Sequence, residues 1–241
     1  MSNLIVIPAR AGSKGIKNKN IVTIGSKPLI TWTMESCADI DENYEVIVSS
    51  DMDEVKKIAK NFKINCDYIR PTSVSKDDTS MYDTVIDLIN WYEDIHQNTV
   101  EKIILLQPTN PLRLREDVKR IIKTLDAGCE SCFTIVPAIQ SPYELIQLEE
   151  KKWSFLRKGE KVNRRQDYKG DFWFLDGSIY GCTKKFLFKN KSFVNEKVSL
   201  PIKCSKISSW DIDTPFDLVI AECMLSFLKN TEKFDTLSNQ N

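Results

Sequence analysis

Among 241 residues there is one histidine, His96, and no net charge, 34 lysines and arginines standing against 34 aspartates and glutamates. A single histidine leaves little material for an imidazole relay or a histidine-rich zinc centre. It lies in the polar stretch Ile95-His96-Gln97-Asn98 and is read as an exposed residue without a role. Balanced charge excludes a global field that would draw the chain to nucleic acid or anionic lipid, so a small-molecule partner is expected. No stretch approaches the roughly 20 apolar residues of a spanning helix. The longest candidate, Leu218 to Leu228, carries Glu222. Met1 to Ile7 has no basic leader and runs into Pro8, so it reads as a strand and not as a signal peptide. Seven cysteines (37, 66, 129, 132, 182, 204, 223) make an odd set scattered through apolar segments. That pattern predicts buried free thiols in a reducing compartment, the cytoplasm. Cys129 and Cys132 follow a helical pattern and lead into a strand, the reverse of a thioredoxin-like placement, so they read as packing thiols.

Apolar runs at Leu4 to Ile7, Tyr44 to Ser49, Cys66 to Ile69, Val100 to Leu106 and Cys132 to Val136 predict strands. Between them, sets such as Val55, Ile58, Ala59 and Phe62, or Val118, Ile121, Ile122 and Leu125, recur at helical spacing. The alternation predicts an α/β fold with a mostly parallel sheet covered by helices on both faces. From about Ala138 to Asp176 the periodicity gives way to charged and aromatic sequence before strand-like Ser178 to Cys182. This stretch is read as an arm inserted into a single domain over 1–228, and its apolar side chains predict a homodimer that covers them. Pro215 begins a last helix to about Leu228, and 229–241 is read as a disordered tail.

Three segments carry chemistry. The first strand empties into Pro8-Ala-Arg-Ala-Gly-Ser-Lys-Gly-Ile-Lys-Asn-Lys-Asn20, at the sheet edge where open α/β folds bind ligands. Glycines let backbone N–H groups approach phosphate oxygens, and Arg10, Lys14 and Lys19 offset a triphosphate's charge. It is neither a Walker A loop nor a G-x-G-x-x-G fingerprint; the plain alternative is a solvated basic turn. Leu105-Leu106-Gln107-Pro108-Thr109-Asn110-Pro111-Leu112-Arg113 ends a strand in a proline-stiffened turn at the same edge. Trp210-Asp211-Ile212-Asp213-Thr214 sets two carboxylates two residues apart, on one side of an extended segment, where they can share a hard divalent cation with substrate phosphates. Helix capping before Pro215 is the alternative use of the same residues.

The order IPARAGSKGIKNKN, IRP, LLQPTNPLR, RRQD, DGSIY, DIDT closely resembles the acylneuraminate cytidylyltransferases, from Ile7 to about Asp217. The resemblance implies a Rossmann-like, three-layer nucleotidyltransferase fold whose extended arm serves dimerisation, CTP as donor and a nine-carbon sugar acid as acceptor. It further implies Mg²⁺, with Mn²⁺ as a substitute, and a homodimer in which one subunit's arm helps cover the other's site. Residue by residue, Arg10 and Lys19 correspond to triphosphate-binding and catalytic positions, with Ser13, Lys14 and Asn20 completing the loop. Ala9, Arg70 and Ser80 frame the nucleotide base. Gln107, Tyr180 and, from the arm, Arg165 (beside Arg164) and Gln166 fall at the acceptor. Asp211 and Asp213 correspond to the metal-binding aspartates, with Asp211 also placed to assist deprotonation of the acceptor. Legionaminic acid, pseudaminic acid and the eight-carbon Kdo are alternative acceptors, and a non-catalytic nucleotide-binding protein is a more distant reading.

Overall fold

A computed structural model describes residues 1–13, 15–150, 152–156 and 170–230. Its centre is a six-stranded sheet built from β1 (Ser2–Ala9), β4 (Tyr44–Ser50), β5 (Val100–Leu106), β6 (Ser131–Pro137), β9 (Trp173–Thr183) and β10 (Leu200–Lys203), in the order β10-β6-β9-β5-β1-β4. β1 runs parallel to β4 and β5, and β10 parallel to β6, whereas β9 is antiparallel to both its neighbours. The single reversed strand matters for the site. Its N-terminal half lies at the edge where the other strands end, so Ile179 pairs Leu106 and the chain just before it faces the turn after β5.

Alternation along the strands sorts the core onto two faces. From β1, Ile5, Ile7 and Ala9 join Val48, Ile104 and Ile179 beneath α1 (Leu29–Ser36), α2 (Asp53–Asn61) and α4 (Arg115–Asp126). Leu4 and Val6 join Ile47, Ile103, Leu105 and Cys182 beneath α3 (Met81–His96) and α5 (Lys184–Asn190). Gly181 sits where α4 crosses β9: a β-carbon there would stand 2.7 Å from a methyl of Ile121, so the helix approaches only because that side chain is missing. A third cluster packs α6 (Pro215–Asn230) against the small hairpin of β2 (Thr23–Ile24) and β3 (Lys27–Pro28), through Ile24, Leu29, Leu112, Ile212, Ala221 and Leu225.

The two stripes predicted as helices are α2 and α4. Cys66 to Ile69 is not a strand. Beside β4 it makes two isolated bridges, Ile47 to Asn65 and Ser50 to Ile69, because Asn65 turns its side chain to Glu45 and caps the Asp67 amide, bending the chain off the ladder. The arm contributes β7 (Ile146–Glu149) and β8 (Lys152–Phe155), an antiparallel hairpin whose Ile146, Leu148, Trp153 and Phe155 are all exposed. β9 starts at Trp173, five residues before the predicted strand; a register shift between Phe133 and Ile135 opposite Gly177 (φ +71°) lets the aromatic stretch pair with β6. α6 runs to Asn230, and 231–241 lies outside the described residues. The cysteines are free; Cys223, on α6, is exposed, unlike the buried thiols expected throughout. Among the described residues no helix is long and apolar enough to cross a membrane.

The α6 start resolves the capping alternative. Thr214 is the cap: its hydroxyl accepts from the Asp217 amide (3.4 Å), and the Asp217 carboxylate accepts from the Thr214 amide (2.7 Å) and hydroxyl (2.8 Å). This is a capping box with aspartate in the third position, and it leaves the Asp211 and Asp213 side chains out of the cap. Thr214→Ala is expected to lower stability by about 1 kcal/mol, read as an earlier urea midpoint at unchanged slope. An unmoved midpoint would remove the cap from the account.

Candidate active site

The loop after β1 is held from below. Asn20, buried, donates to the Arg10 carbonyl (3.0 Å); Ala11 donates to Asp51 Oδ1 (2.7 Å); Ser50 Oγ donates to the Ala9 carbonyl (2.6 Å). Asn20 therefore braces the loop from within it. Gly12 takes φ +72°, which an L side chain rarely adopts. The Arg10 guanidinium reaches the Gly12 carbonyl (3.1 Å) and pairs with Asp77 (2.7 Å). Ser13 is half-buried, and Lys14 lies outside the described residues.

The far side of this loop meets the acidic strip almost 200 residues away. Lys19 Nζ donates to the Ile212 carbonyl (2.8 Å) and pairs with Asp213 Oδ1 (2.9 Å). Gly15 lies so close to Asp213 that a β-carbon there would stand 2.1 Å from its carbonyl oxygen. Ile212 is fully buried between Asp211 and Asp213, both of which are exposed. The turn after β5 supports the strip from behind: Ile212 donates to the Thr109 carbonyl (2.9 Å) and Trp210 to Asn110 Oδ1 (3.4 Å).

Asp211 is electrostatically perturbed. Its carboxyl is held above the usual carboxylate range, first by the protein's exclusion of water and then by the negative charges of Asp213 and Asp217; the Thr109 hydroxyl and Lys19 act the other way. Concentrated negative charge of this kind is what a bound cation would relieve. Among the described residues no three aspartate, glutamate, cysteine or histidine side chains converge on one point.

The remaining predicted residues divide. Ala9 is buried at the end of β1. Arg70 is buried and turned inward, its guanidinium donating to the Val74 carbonyl (3.0 Å) and Thr84 Oγ1 (2.9 Å), and burial pulls its pKa down. Ser80 caps α3 by accepting from the Asp83 amide (3.0 Å). These two shape the 71–80 loop beside Arg10. Gln107 follows β5 and is half-buried. Tyr180 packs on Phe193 (ring centroids 5.8 Å), and its hydroxyl is pushed up to about 12 by burial and by Asp176 and Asp211. Arg165 and Gln166 lie outside the described residues.

Sequence reasoning gave no role to Asp51, Asp77, Thr109, Arg113 or Asp176. Asp176 is buried in β9, accepting from Thr134 Oγ1 (2.6 Å) and the Ser178 amide (3.1 Å), and it shares with Asp211 the wall of a cleft of about 720 Å³. Aromatic and aliphatic side chains of the arm's base, including Phe172, Trp173 and Phe174, line much of the rest. The available signal was the Asp-Gly-Ser run within a strand, which marks a bulge.

A basic, glycine-bearing loop that meets a carboxylate pair at the carboxyl edge of a mostly parallel α/β sheet defines a nucleotidyltransferase fold. The chain belongs to the cytidylyltransferase family, whose model matches residues 4–167. It is 30% identical to a CMP-N,N'-diacetyllegionaminic acid synthase of Legionella pneumophila, over 93% of this chain and 97% of that one. It is 29% identical to an N-acylneuraminate cytidylyltransferase of Escherichia coli, over 98% of this chain but 55% of the other. Among solved structures, a CMP:2-keto-3-deoxy-manno-octonic acid synthetase complexed with CTP superposes with TM-score 0.67 at 17% identity, covering 95% of this chain and all of that one. At that identity the likeness concerns the fold.

Proposed function

We propose that this protein transfers CMP from CTP to the anomeric hydroxyl of a nine-carbon 2-keto sugar acid and releases pyrophosphate. The observation that carries the reading is the junction of the two distant segments, Lys19 paired with Asp213 beside Asp211 (2.9 Å), at the sheet edge where the glycine-bearing loop ends. The oxygen of the acceptor's C2 hydroxyl attacks the α-phosphorus in line; the O–P bond forms as the bond to the β-phosphate oxygen breaks. The hydroxyl proton passes to a base, a role we give to the Asp211 carboxylate, acting directly or through a water. Arg10 and Lys19 stabilise the charge that builds on the departing pyrophosphate. Orientation and charge stabilisation are sufficient for this chemistry without a covalent enzyme intermediate.

Asp211 and Asp213 would hold a Mg²⁺ ion, or Mn²⁺ in its place: two exposed carboxylates on one strip offer the oxygen donors such a hard cation takes, alongside substrate phosphates. Such an ion would supply Lewis-acid polarisation of the α-phosphate. The acceptor is an N-acylneuraminate or its diacetyl-legionaminate relative, and the match along nearly the whole Legionella synthase makes legionaminate the first alternative to try. A homodimer is supported by the exposed Leu148, Trp153 and Phe155 on the arm hairpin, apolar surface that a second copy would cover. Free thiols, all but Cys223 at least half-buried, suit the cytoplasm.

The test is pyrophosphate release from CTP and Mg²⁺ with N-acetylneuraminate, N,N'-diacetyllegionaminate, pseudaminate and Kdo in parallel. Release with a nine-carbon acid is expected. CTP binding without release from any of the four would favour a non-catalytic nucleotide-binding protein.

A further inference from the structure

Arg113 stands behind the site, and neither the sequence motifs nor the residues facing the cleft assign it a part. It is buried, 6% exposed, and its fork of donors joins three elements. Nη1 donates to Thr33 Oγ1 of α1 (2.9 Å), Nε to Ser178 Oγ of β9 (3.1 Å), and Nη2 to the carbonyls of Ser178 (2.8 Å) and Gln107. The Ser178 carbonyl also accepts from the Gln107 amide (3.2 Å). The peptide groups on both sides of Gln107 are thus fixed, one through Ser178 and the other through Arg113. The same turn carries Thr109, whose carbonyl holds the Ile212 amide (2.9 Å) between Asp211 and Asp213.

We propose that Arg113 is a positioning residue for the transfer reaction: its guanidinium locks the Gln107 peptide onto β9 and so fixes Gln107 and the Asp211–Asp213 strip relative to one another. The inference rests on the cytidylyl-transfer reading for its kinetic consequence, whereas the lock itself is a property of the fold. Its four acceptors lie on three elements, one more than the three donors of a lysine ammonium can meet, and the planar fork spans them. Burial brings the guanidinium down to about 10, so it remains a cation at neutral pH.

Arg113→Lys tests this. The lysine keeps the charge but loses the fork. CTP affinity by calorimetry is expected to stay within roughly twofold, while kcat falls about tenfold or more and acceptor KM rises, the pattern of displaced reacting groups in a folded protein. Hydrogen exchange read on the same protein, independently of turnover, is expected to quicken about tenfold or more at the Gln107 and Ile212 amides, and not in β1 or α3. A merely structural arginine would lower the melting temperature without this split. Unchanged exchange at both amides overturns the proposal, as does loss of CTP affinity in step with kcat, which would signal general collapse. Should R113K not fold, Arg113→Gln, which removes both the charge and the fork, takes its place; faster exchange at Gln107 with intact CTP binding supports the lock, and unchanged exchange rejects it. A wild type inactive on every acceptor would refute cytidylyl transfer, while the exchange result still decides the lock.

Discussion

Asp211→Asn is expected to cut pyrophosphate release about a thousandfold or more, with CTP and Mg²⁺ saturating, while the protein stays folded and melts no earlier than the wild type. The two halves of this result have one cause. Asparagine keeps the size of the side chain and an oxygen for the Thr109 hydroxyl, but removes the charge that would hold a cation between the strip and the phosphates. The raised pKa of Asp211 gives the sign of the stability change. A carboxyl whose folded pKa lies above its unfolded value binds its proton more tightly in the fold, so the ionised form present at neutral pH costs stability. The neutral amide removes that cost. Loss of activity with a level or higher melting temperature therefore marks a group kept for chemistry against stability. Retention of kcat within about tenfold would take Asp211 out of the metal pair, and a sharp fall in melting temperature would make it structural.

Much of the layer order was legible because it is written in local periodicity. Val118, Ile121, Ile122 and Leu125 can lie on one side of an element only if that element is helical, and α4 buries all four. Cys66 to Ile69 misled because its composition suits a strand while the preceding Asn65 side chain accepts from the Asp67 amide and donates to Glu45. The direction of β9 could not be read at all, since alternation is the same whichever way a strand runs. That direction is what brings Ser178 to Gln107.

The site was legible as parts and not as an assembly. Its loop, turn and acidic strip each announced a chemistry through residue type and place in the alternation. Residue types say nothing of which cation faces which carboxylate, so neither the Lys19–Asp213 pair nor the Arg10–Asp77 pair could be anticipated. Arg113 was visible as the last letter of a motif, but an arginine between two leucines in a chain this rich in charge gives no sign that it is buried. Asn20 and Arg70 show the converse. Read from the sequence as nucleotide-binding residues, they also make internal bonds, Asn20 to the Arg10 carbonyl and Arg70 to the Val74 carbonyl and Thr84 hydroxyl.

Gly15→Ala carries the second large effect, and it isolates that assembly from the chemistry of any charged side chain. The new methyl would be placed 2.1 Å from the Asp213 carbonyl oxygen, where the obstacle is backbone and cannot swing aside as a flexible side chain could. The strip cannot retreat either, because Ile212 is buried beneath it and tied to Thr109. The loop must therefore lift, which draws Lys19 away from Asp213 and spoils the registry of the phosphate-facing groups with the carboxylate pair. Turnover is expected to fall about a hundredfold, the order associated with displacing reacting groups by about 1 Å. CTP affinity should weaken along with it, since the loop is the part that moves. Stability should fall less than turnover, because of this loop only Ala11, partly buried, packs against the first core cluster and only Ile16 joins the third. Kinetics, calorimetry with CTP and a thermal melt on one preparation decide the matter. Wild-type turnover would show that the loop and the strip need not touch for catalysis, and a collapse in melting temperature comparable to a core substitution would show that their contact serves the fold.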